Sequence, residues 1–487
     1  MPKPTLDEVA QLRSKGNLVP IYAEVPADLE TPVSVYLKVA DNPPSFLLES
    51  VHGGETLGRY SFIGTEPYKV LHFPTAAIAY GDKDPLHYIE EELAQFKPVA
   101  IKDLPRFTGG AVGYLSYEIA RYFENLPTPE SDNLELPASV FLLTDTLLVF
   151  DHLRQTIKVI SHVRTDDDIE SSYQEASSKI DKIIAKLKLP LANKHQMQST
   201  TFEGENDVPE AISNTLKADY LKQVAQIREY IHRGDLIQAV LSQRFIRPTS
   251  ADGFTIYRAL RSINPSPYMY YLDLGEFQII GASPEMLVRV EDGTIDYHPI
   301  AGTIRRGASE QEDLLLAEKL KSDEKEQAEH IMLVDLGRND VGKVSEPGSV
   351  QVTQLMDIER YSHVMHLVSH ITGTLKENLT IYDVLRSCFP AGTVSGAPKI
   401  RAMEVIAELE GDKRGPYAGT VGYFSFSGNM DTAITIRTVV LKNGTAYVQA
   451  GGGIVSDSVD ENEFQETKNK AAAVLQAISR AEMMMIK

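Results

Sequence analysis

The chain reads as a mixed α+β fold built on large antiparallel sheets. Three observations predict this. Up to about residue 189 the apolar residues fall in short β-like runs cut by Gly, Pro and Asp turns. Beyond that point helical and strand-like patterns alternate. Near the C-terminus, strands follow one another through a tight hairpin rather than through crossover helices. In order, the early β-like runs include Val33–Val39, Ala111–Tyr117 and Val140–Phe150. The polar, aperiodic stretch Leu189–Asn206 reads as a linker, dividing the chain into a region 1–195 and a region 207–487. Asp219–Arg233 is a predicted helix, with Tyr220, Val224, Ile227 and Ile231 on one stripe, Asp219 at its start and Gly234 at its end. A strand is expected over Leu236–Phe245. A helix over Pro398–Leu409 has Pro in its first turn and Gly411 beyond its end. Val421–Ser427, Thr432–Leu441 and Thr445–Ala450 read as consecutive antiparallel strands, the last two joined by Asn443-Gly444, a two-residue hairpin signal. A closing helix runs from Asp460 to about Met484, with acidic residues at its N-terminus as the macrodipole favours. No repeat of fixed period stands out.

Composition excludes several classes. The chain has 487 residues, with 48 basic and 68 acidic side chains, for a net charge of −20. Such a chain repels phosphate, so neither nucleic acid nor an anionic membrane is an expected partner. The apolar fraction of 43% is that of a globular protein, and the length is ample for a large core without staples. One cysteine, Cys388, forbids an intramolecular disulfide and a multi-cysteine zinc site. No apolar run reaches the ~20 residues of a membrane span. The N-terminal MPKPTLDEVAQLRSKG lacks a signal-peptide core. A cytoplasmic enzyme is the expectation. The chain has no tryptophan.

Chemistry is suggested at several places. Glu326 and Glu329 share one helix face, as do Glu463 and Glu466. An isolated ExxE is most often a solvated face. The first pair, however, runs directly into the apolar IMLVDL, which carries it towards a core. Two glutamates from separate helices would suit magnesium, which uses one or two carboxylates plus substrate and keeps several waters. QAGGGIV (Gln449–Val455), between a strand and a helix, offers successive N–H groups to an anion, although a Gly triplet is also a common connector. PIAGT (Pro299–Thr303) and FPAGTVSGAPK (Phe389–Lys399) are similar turns. No P-loop is present, and no GxGxxG follows a predicted strand. Arg437 falls inside the strand Thr432–Leu441, on one face with Ala433, Thr435 and Val439. There it either clamps a carboxylate or faces water at an edge. Cys388 lacks a nucleophile elbow and reads as a small buried hydrophobe. His363 and His366 lie three apart, with no third zinc ligand evident.

Taken together, GASPE (Gly281–Glu285), PIAGT, AEHIMLVDLGRND, FPAGTVSGAPK, the segment bearing Arg437, and QAGGGIV with ENEFQETKNKA resemble the chorismate-utilising enzymes, in order from about Asp219 to Met484. LLES (Leu47–Ser50) and NPSPYMYY (Asn264–Tyr271) resemble the tryptophan feedback elements of anthranilate synthase large subunits, so the likeness spans the whole chain. The resemblance implies a sandwich of two packed antiparallel sheets flanked by helices. On it, region 207–487 binds chorismate and region 1–195 contributes to feedback. It also implies a subfamily. Isochorismate and salicylate synthases carry a water-activating lysine where this chain has Gln238. Aminodeoxychorismate synthases carry a nucleophilic lysine where it has Ala301. With both absent, ammonia remains as the nucleophile.

The resemblance further implies roles. Magnesium would be held by Glu329 and Glu466, with Glu326 and Glu463 nearby. Glu285 would protonate the departing ring hydroxyl, which needs a raised pKa. His366 would serve pyruvate elimination. Tyr417, Arg437 and Gly451, Gly452 and Gly453 would hold the enolpyruvyl carboxylate. Gly302 and Thr303 would contact the ring carboxylate, with Thr393 and Lys470 close by. Glu49, Ser50, Asn264, Pro267, Tyr268 and Met269 would bind L-tryptophan. The chain has no amidotransferase domain, so a separate glutamine amidotransferase subunit is the implied partner, in a heterodimer or heterotetramer. An absence of tryptophan fits a protein made when tryptophan is scarce. The alternatives are an aminodeoxychorismate synthase component, a tryptophan-responsive subunit without turnover, or a magnesium-dependent hydrolase.

Overall fold

Two antiparallel sheets, each drawing strands from both halves of the chain, organise the structure. It is a computed structural model that describes residues 2–50, 58–75, 78–191, 211–360 and 364–485. The first half runs α1 (Leu6–Leu12), β1 (Leu18–Pro26), α2 (Pro32–Val39), β2 (Ser45–Glu49), β3 (Tyr60–Thr65), β4 (Lys69–Phe73), α3 (Pro85–Ala94), β5 (Gly110–Leu115), α4 (Ala120–Phe123), β6 (Ser139–Thr144), β7 (Thr146–Asp151), β8 (Thr156–Arg164) and α5 (Ile169–Leu187). The second runs β9 (Ile212–Ser213), α6 (Lys217–His232), β10 (Gln238–Pro248), α7 (Gly253–Ile263), β11 (Tyr268–Asp273), β12 (Phe277–Ser283), β13 (Met286–Glu291), β14 (Thr294–Tyr297), β15 (Ile300–Arg305), α8 (Glu310–Ser322) and α9 (Glu324–Val344). It continues through β16 (Gln351–Arg360), β17 (Val364–Thr374), α10 (Ile381–Cys388), β18 (Gly396–Ala397), α11 (Lys399–Glu410), β19 (Thr420–Ser425), β20 (Met430–Ile434), β21 (Thr438–Lys442), β22 (Thr445–Ile454) and α12 (Asp460–Met485).

The larger sheet has the order β1-β8-β7-β3-β2-β11-β12-β21-β22-β10-β18, with β9 beside β10. The smaller has the order β15-β17-β14-β13-β20-β19-β5-β6-β4, with β16 beside β17. Strand alternation sends side chains to opposite faces and so makes four layers. Phe46, Val112, Leu142, Val149, Tyr270, Ile279 and Val421 meet between the sheets. Leu47, Ile63, Ile280 and Val448 face outwards under α2, α5, α7 and α12, where they meet Val35, Ile180, Tyr257 and Val474. Leu143, Leu287 and Val288 pack under α3, α9 and α10 on the other side. The sandwich flanked by helices is therefore present, and β2–β11 and β5–β19 stitch the two halves into both sheets.

Four local expectations need correction. Val33–Val39 is the helix α2 rather than a strand: Thr31 caps it reciprocally with Ser34, and Pro32 supplies a preset first turn, which outweighs the β-branched residues. Val140–Phe150 is two strands, β6 and β7, in different sheets, with Asp145 at the crossing. Thr432–Leu441 is likewise split into β20 in the smaller sheet and β21 in the larger. Arg437 therefore lies on neither strand but in the crossing, with a left-handed φ of 53°. Finally, Gly451–Gly453 is not a connector: it forms the end of β22, paired to Val240–Ser242 of β10. Most of the Leu189–Asn206 linker, and His363, lie outside the described residues. Among the described residues no helix is long and apolar enough to cross a membrane.

Candidate active site

The site forms where β22, α12, α9 and the turns around Glu285, Gly302 and Thr393 converge. Glu285 occupies the step between β12 and β13, where the chain leaves one sheet for the other. It is buried, and Thr393 Oγ1 donates to its Oε1 at 3.0 Å. Burial lifts its pKa to about 8, against smaller opposing effects of the Thr393 hydrogen bond and the Lys470 charge. The carboxyl is thus mostly protonated at neutral pH, as an acid donor must be.

Lys470 of α12 ties the next groups together. Its Nζ donates to the Gly451 carbonyl at 3.0 Å and pairs with Glu466 at 2.6 Å, while its own carbonyl accepts from the Arg437 guanidinium. The three glycines are there for clearance. A Cβ on Gly451 would lie 2.7 Å from Tyr417 Oη, and one on Gly452 would lie 3.2 Å from Glu463 Oε2. One on Gly453 would overlap the Gln238 amide, which donates to Glu329 Oε1 at 3.0 Å. Gly302 sits at a bulge in β15 with φ 60°, a conformation that favours glycine, and a Cβ there would lie 2.7 Å from Glu326 Oε2. The same bulge brings Thr303 opposite His366 of β17. His366 Nδ1 lies 3.0 Å from Thr303 Oγ1 and 3.2 Å from the Gly302 carbonyl. The carbonyl contact assigns the proton to Nδ1 and leaves Nε2 as the basic nitrogen. Burial lowers the imidazole pKa, keeping it neutral.

Four carboxylates thus gather between α9 and α12. The pKa of Glu326 is raised by burial and then by Glu329, Asp323 and Glu466; that of Glu463 is raised by burial and also by Glu466. Glu463 Oε2 is buried without a hydrogen-bond partner. Crowded, partly desolvated carboxylates with an orphaned oxygen fit a hard divalent cation. Among the described residues no group of three or more His, Cys, Asp or Glu side chains is placed to hold a metal ion.

A partly open cavity of about 60 Å³ lies between the sheets near the junction of the halves. Its lining includes Glu49, Ser50, Pro267, Tyr268 and Met269. Asn264 is not part of that lining; it ends α7. Glu49 is buried and already accepts from Tyr257 Oη at 2.6 Å and from Arg261. Tyr268 Oη donates to Asp431 Oδ1 at 3.1 Å, and Arg106 bridges Tyr423 Oη (3.0 Å) and Asp431 (2.8 Å). Arg106, Tyr423 and Asp431 escaped the sequence reading because Arg106 comes from a loop some three hundred residues before the β19–β20 hairpin that pairs Tyr423 with Asp431. Cys388 is fully buried, and burial raises its thiol pKa, so it is an inert core residue.

Residues 43–476 match the family model described as chorismate binding enzyme. The anthranilate synthase component 1 of Acetivibrio thermocellus is 48% identical, over 98% of this chain and 99% of that protein. That of Pseudomonas aeruginosa is 46% identical, over 98% and 99%. The crystal structure of anthranilate synthase component I from Streptococcus pneumoniae superposes with a TM-score of 0.76 at 39% identity, covering 93% of this chain and 99% of that one. The menaquinone-specific isochorismate synthase of Escherichia coli, at 18% identity and a TM-score of 0.71, shares the fold. The chain belongs to the chorismate-binding enzyme family, in its anthranilate synthase component 1 branch.

Proposed function

We propose that the chain converts chorismate to anthranilate and pyruvate, using ammonia delivered by a glutamine amidotransferase subunit. The single observation that carries this reading is Glu285, a buried acid with a pKa of about 8, held by Thr393 beside Lys470. Amination of chorismate displaces a ring hydroxyl, a poor leaving group that must be protonated as it departs. A carboxyl protonated at neutral pH does this, contributing ~10²–10⁴-fold. The neutral His366, with Nδ1–H fixed by the Gly302 carbonyl, presents Nε2 to accept the ring proton lost on aromatisation. Arg437, Tyr417 and the Gly451–Gly453 edge face the substrate's second carboxylate. Glu329 and Glu466 would hold magnesium, with Glu326 and Glu463 nearby. When bound it would neutralise the ring carboxylate and make the ring more electrophilic.

The choice of nucleophile rests on two positions. Gln238, whose amide is a donor to Glu329, has no base to activate water. Ala301 offers no amine. Ammonia is scarce beside ammonium at neutral pH, which is why a delivering subunit belongs to the reading. The cavity bearing Ser50, Tyr268 and Met269 is proposed as the site where L-tryptophan inhibits, its aromatic and apolar walls suiting an indole.

The test is product analysis. Purified chain with chorismate, magnesium and an ammonium salt at mildly alkaline pH should give fluorescent anthranilate plus pyruvate, and none without magnesium. Isochorismate, salicylate or aminodeoxychorismate as product would overturn the reading of Gln238 and Ala301. No product would favour a tryptophan-responsive subunit without turnover.

A further inference from the structure

A buried arginine outside the set above reaches three segments of the site from behind: the Thr393 turn, β10 beside the glycine edge, and Tyr417. Arg414 follows α11 and is 2% exposed. Its guanidinium forks onto Glu410, Nε to Oε2 at 2.8 Å and Nη2 to Oε1 at 2.7 Å. Nη1 donates to the Val394 carbonyl and Nη2 to the Val240 carbonyl, each at 2.7 Å. The plane lies 4.6 Å from the Tyr117 ring centre and 5.5 Å from that of Tyr417. Glu410 Oε1 in turn accepts from both the backbone N–H and the hydroxyl of Ser242 at 2.8 Å.

Each anchor is next to a site group. Val394 follows Thr393, the donor to Glu285. Val240 and Ser242 pair with Gly453 and Gly451. Tyr417 Oη faces Gly451. One side chain therefore fixes the Thr393 turn, the glycine edge and the Tyr417 ring relative to one another. Only a planar fork with five N–H donors meets two carbonyls and both oxygens of one carboxylate at once.

We propose that Arg414, locked by Glu410, is a positioning residue for the reaction: it sets the Thr393–Glu285 contact against the substrate-holding edge of β22. This rests on the proposed function, and the experiment separates the two. The conservative variants Arg414→Lys and Glu410→Gln, Thr393→Val, and the double variant Arg414→Lys/Thr393→Val are assayed with ammonium and chorismate, well below their melting temperatures. Arg414→Lys should lose about 100-fold in kcat, the scale of a ~1 Å misplacement, with KM changed by less than about threefold. Glu410→Gln, which keeps the Ser242 contacts, should lose less. Thr393→Val should cost much less in the Arg414→Lys background than in wild type, because both changes break one contact. Equal cost of Thr393→Val in both backgrounds would overturn the proposal, as would a folded Arg414→Lys enzyme with wild-type kcat. A wild-type chain that makes no anthranilate would refute the function itself, whatever Arg414 does.

Discussion

The two halves of the chain are the same architecture used twice, yet the candidate catalytic residues all come from the second. The larger sheet reads β1-β8-β7-β3-β2 and then β11-β12-β21-β22-β10, a mirror order in which β1 answers to β10, β8 to β22 and β2 to β11. In the smaller sheet β4, β6 and β5 answer to β13, β20 and β19. Helix α2 stands between β1 and β2 as α7 does between β10 and β11, and α5 follows β8 as α12 follows β22. The halves differ in two ways. The second inserts β14–β17 and α8–α11 where the first has only residues 74–109, and this insertion carries Thr303, Glu329, His366 and Thr393. The second also has glycine where the first has bulk. In the matching hairpins Lys442 faces Thr445 and Asp151 faces Thr156. Six residues on, Gly451, Gly452 and Gly453 correspond to His162, Val163 and Arg164. His162 is buried with its Nδ1 at 2.8 Å from the Asp145 carbonyl, whereas Tyr417 Oη stands over Gly451 in the second half. The glycines thus let Tyr417, Glu463 and Gln238 come up against the β22 backbone, where the first half carries side chains.

The comparison can be broken or sharpened by experiment. The largest effect is expected from Glu285→Gln. Chorismate should still bind in a titration, while turnover falls by ~10²–10⁴-fold; unchanged turnover would remove Glu285 from its role. Giving the second half the bulk of the first comes next. Gly453→Val should push the Gln238 amide off Glu329 and lower kcat/KM by at least about tenfold, with a native circular dichroism spectrum; wild-type kinetics would show that the glycines are not there for clearance. Glu329→Ala and Glu466→Ala should each shift the magnesium titration to higher concentration, and a superimposable curve would refute their assignment. The pH profile should show a smaller effect. Expressed per free ammonia, turnover should fall as pH rises through about 8, because the raised pKa means that Glu285 is a proton donor below that value and a carboxylate above it. A flat profile to pH 9 would contradict this. Smallest for turnover itself is Ser50→Phe, at the seam between the halves. It should leave turnover intact and raise the tryptophan concentration for half inhibition at least about tenfold. In the wild type, chorismate should weaken tryptophan binding as much as tryptophan weakens chorismate binding, and independent isotherms would reject the coupling.

Much of this was legible before folding was considered. The helices over residues 217–232, 399–410 and 460–485 follow from apolar periodicity and from stop signals such as Gly411, which takes the left-handed conformation. The hairpin at Asn443-Gly444 follows from turn chemistry. The two glutamate pairs and the glycine run are weak signals one by one; with GASPE they point to a site only through their resemblance, in order, to a known family. Two of the four misreadings share one physical source. Period-2 alternation cannot tell one strand from two that share a direction but join different sheets, so Asp145 and Arg437 were hidden inside continuous apolar runs. No linear signal marks Arg106, Asp431 or Arg414, since each acts on segments more than a hundred residues away.

By itself, then, the sequence determined most of the element types and the mixed α+β class with large antiparallel sheets, because these depend on side-chain period and turn residues, which are local; the two-sheet sandwich and the kind of chemistry came from the resemblance of its motifs to a known family. The tertiary structure alone decided that the halves mirror one another, that Arg437 sits at a sheet crossing, and that Glu285 is buried enough to hold a proton at neutral pH. These depend on which distant strands pair and on how much water they exclude, and neither is a property of any short stretch of chain.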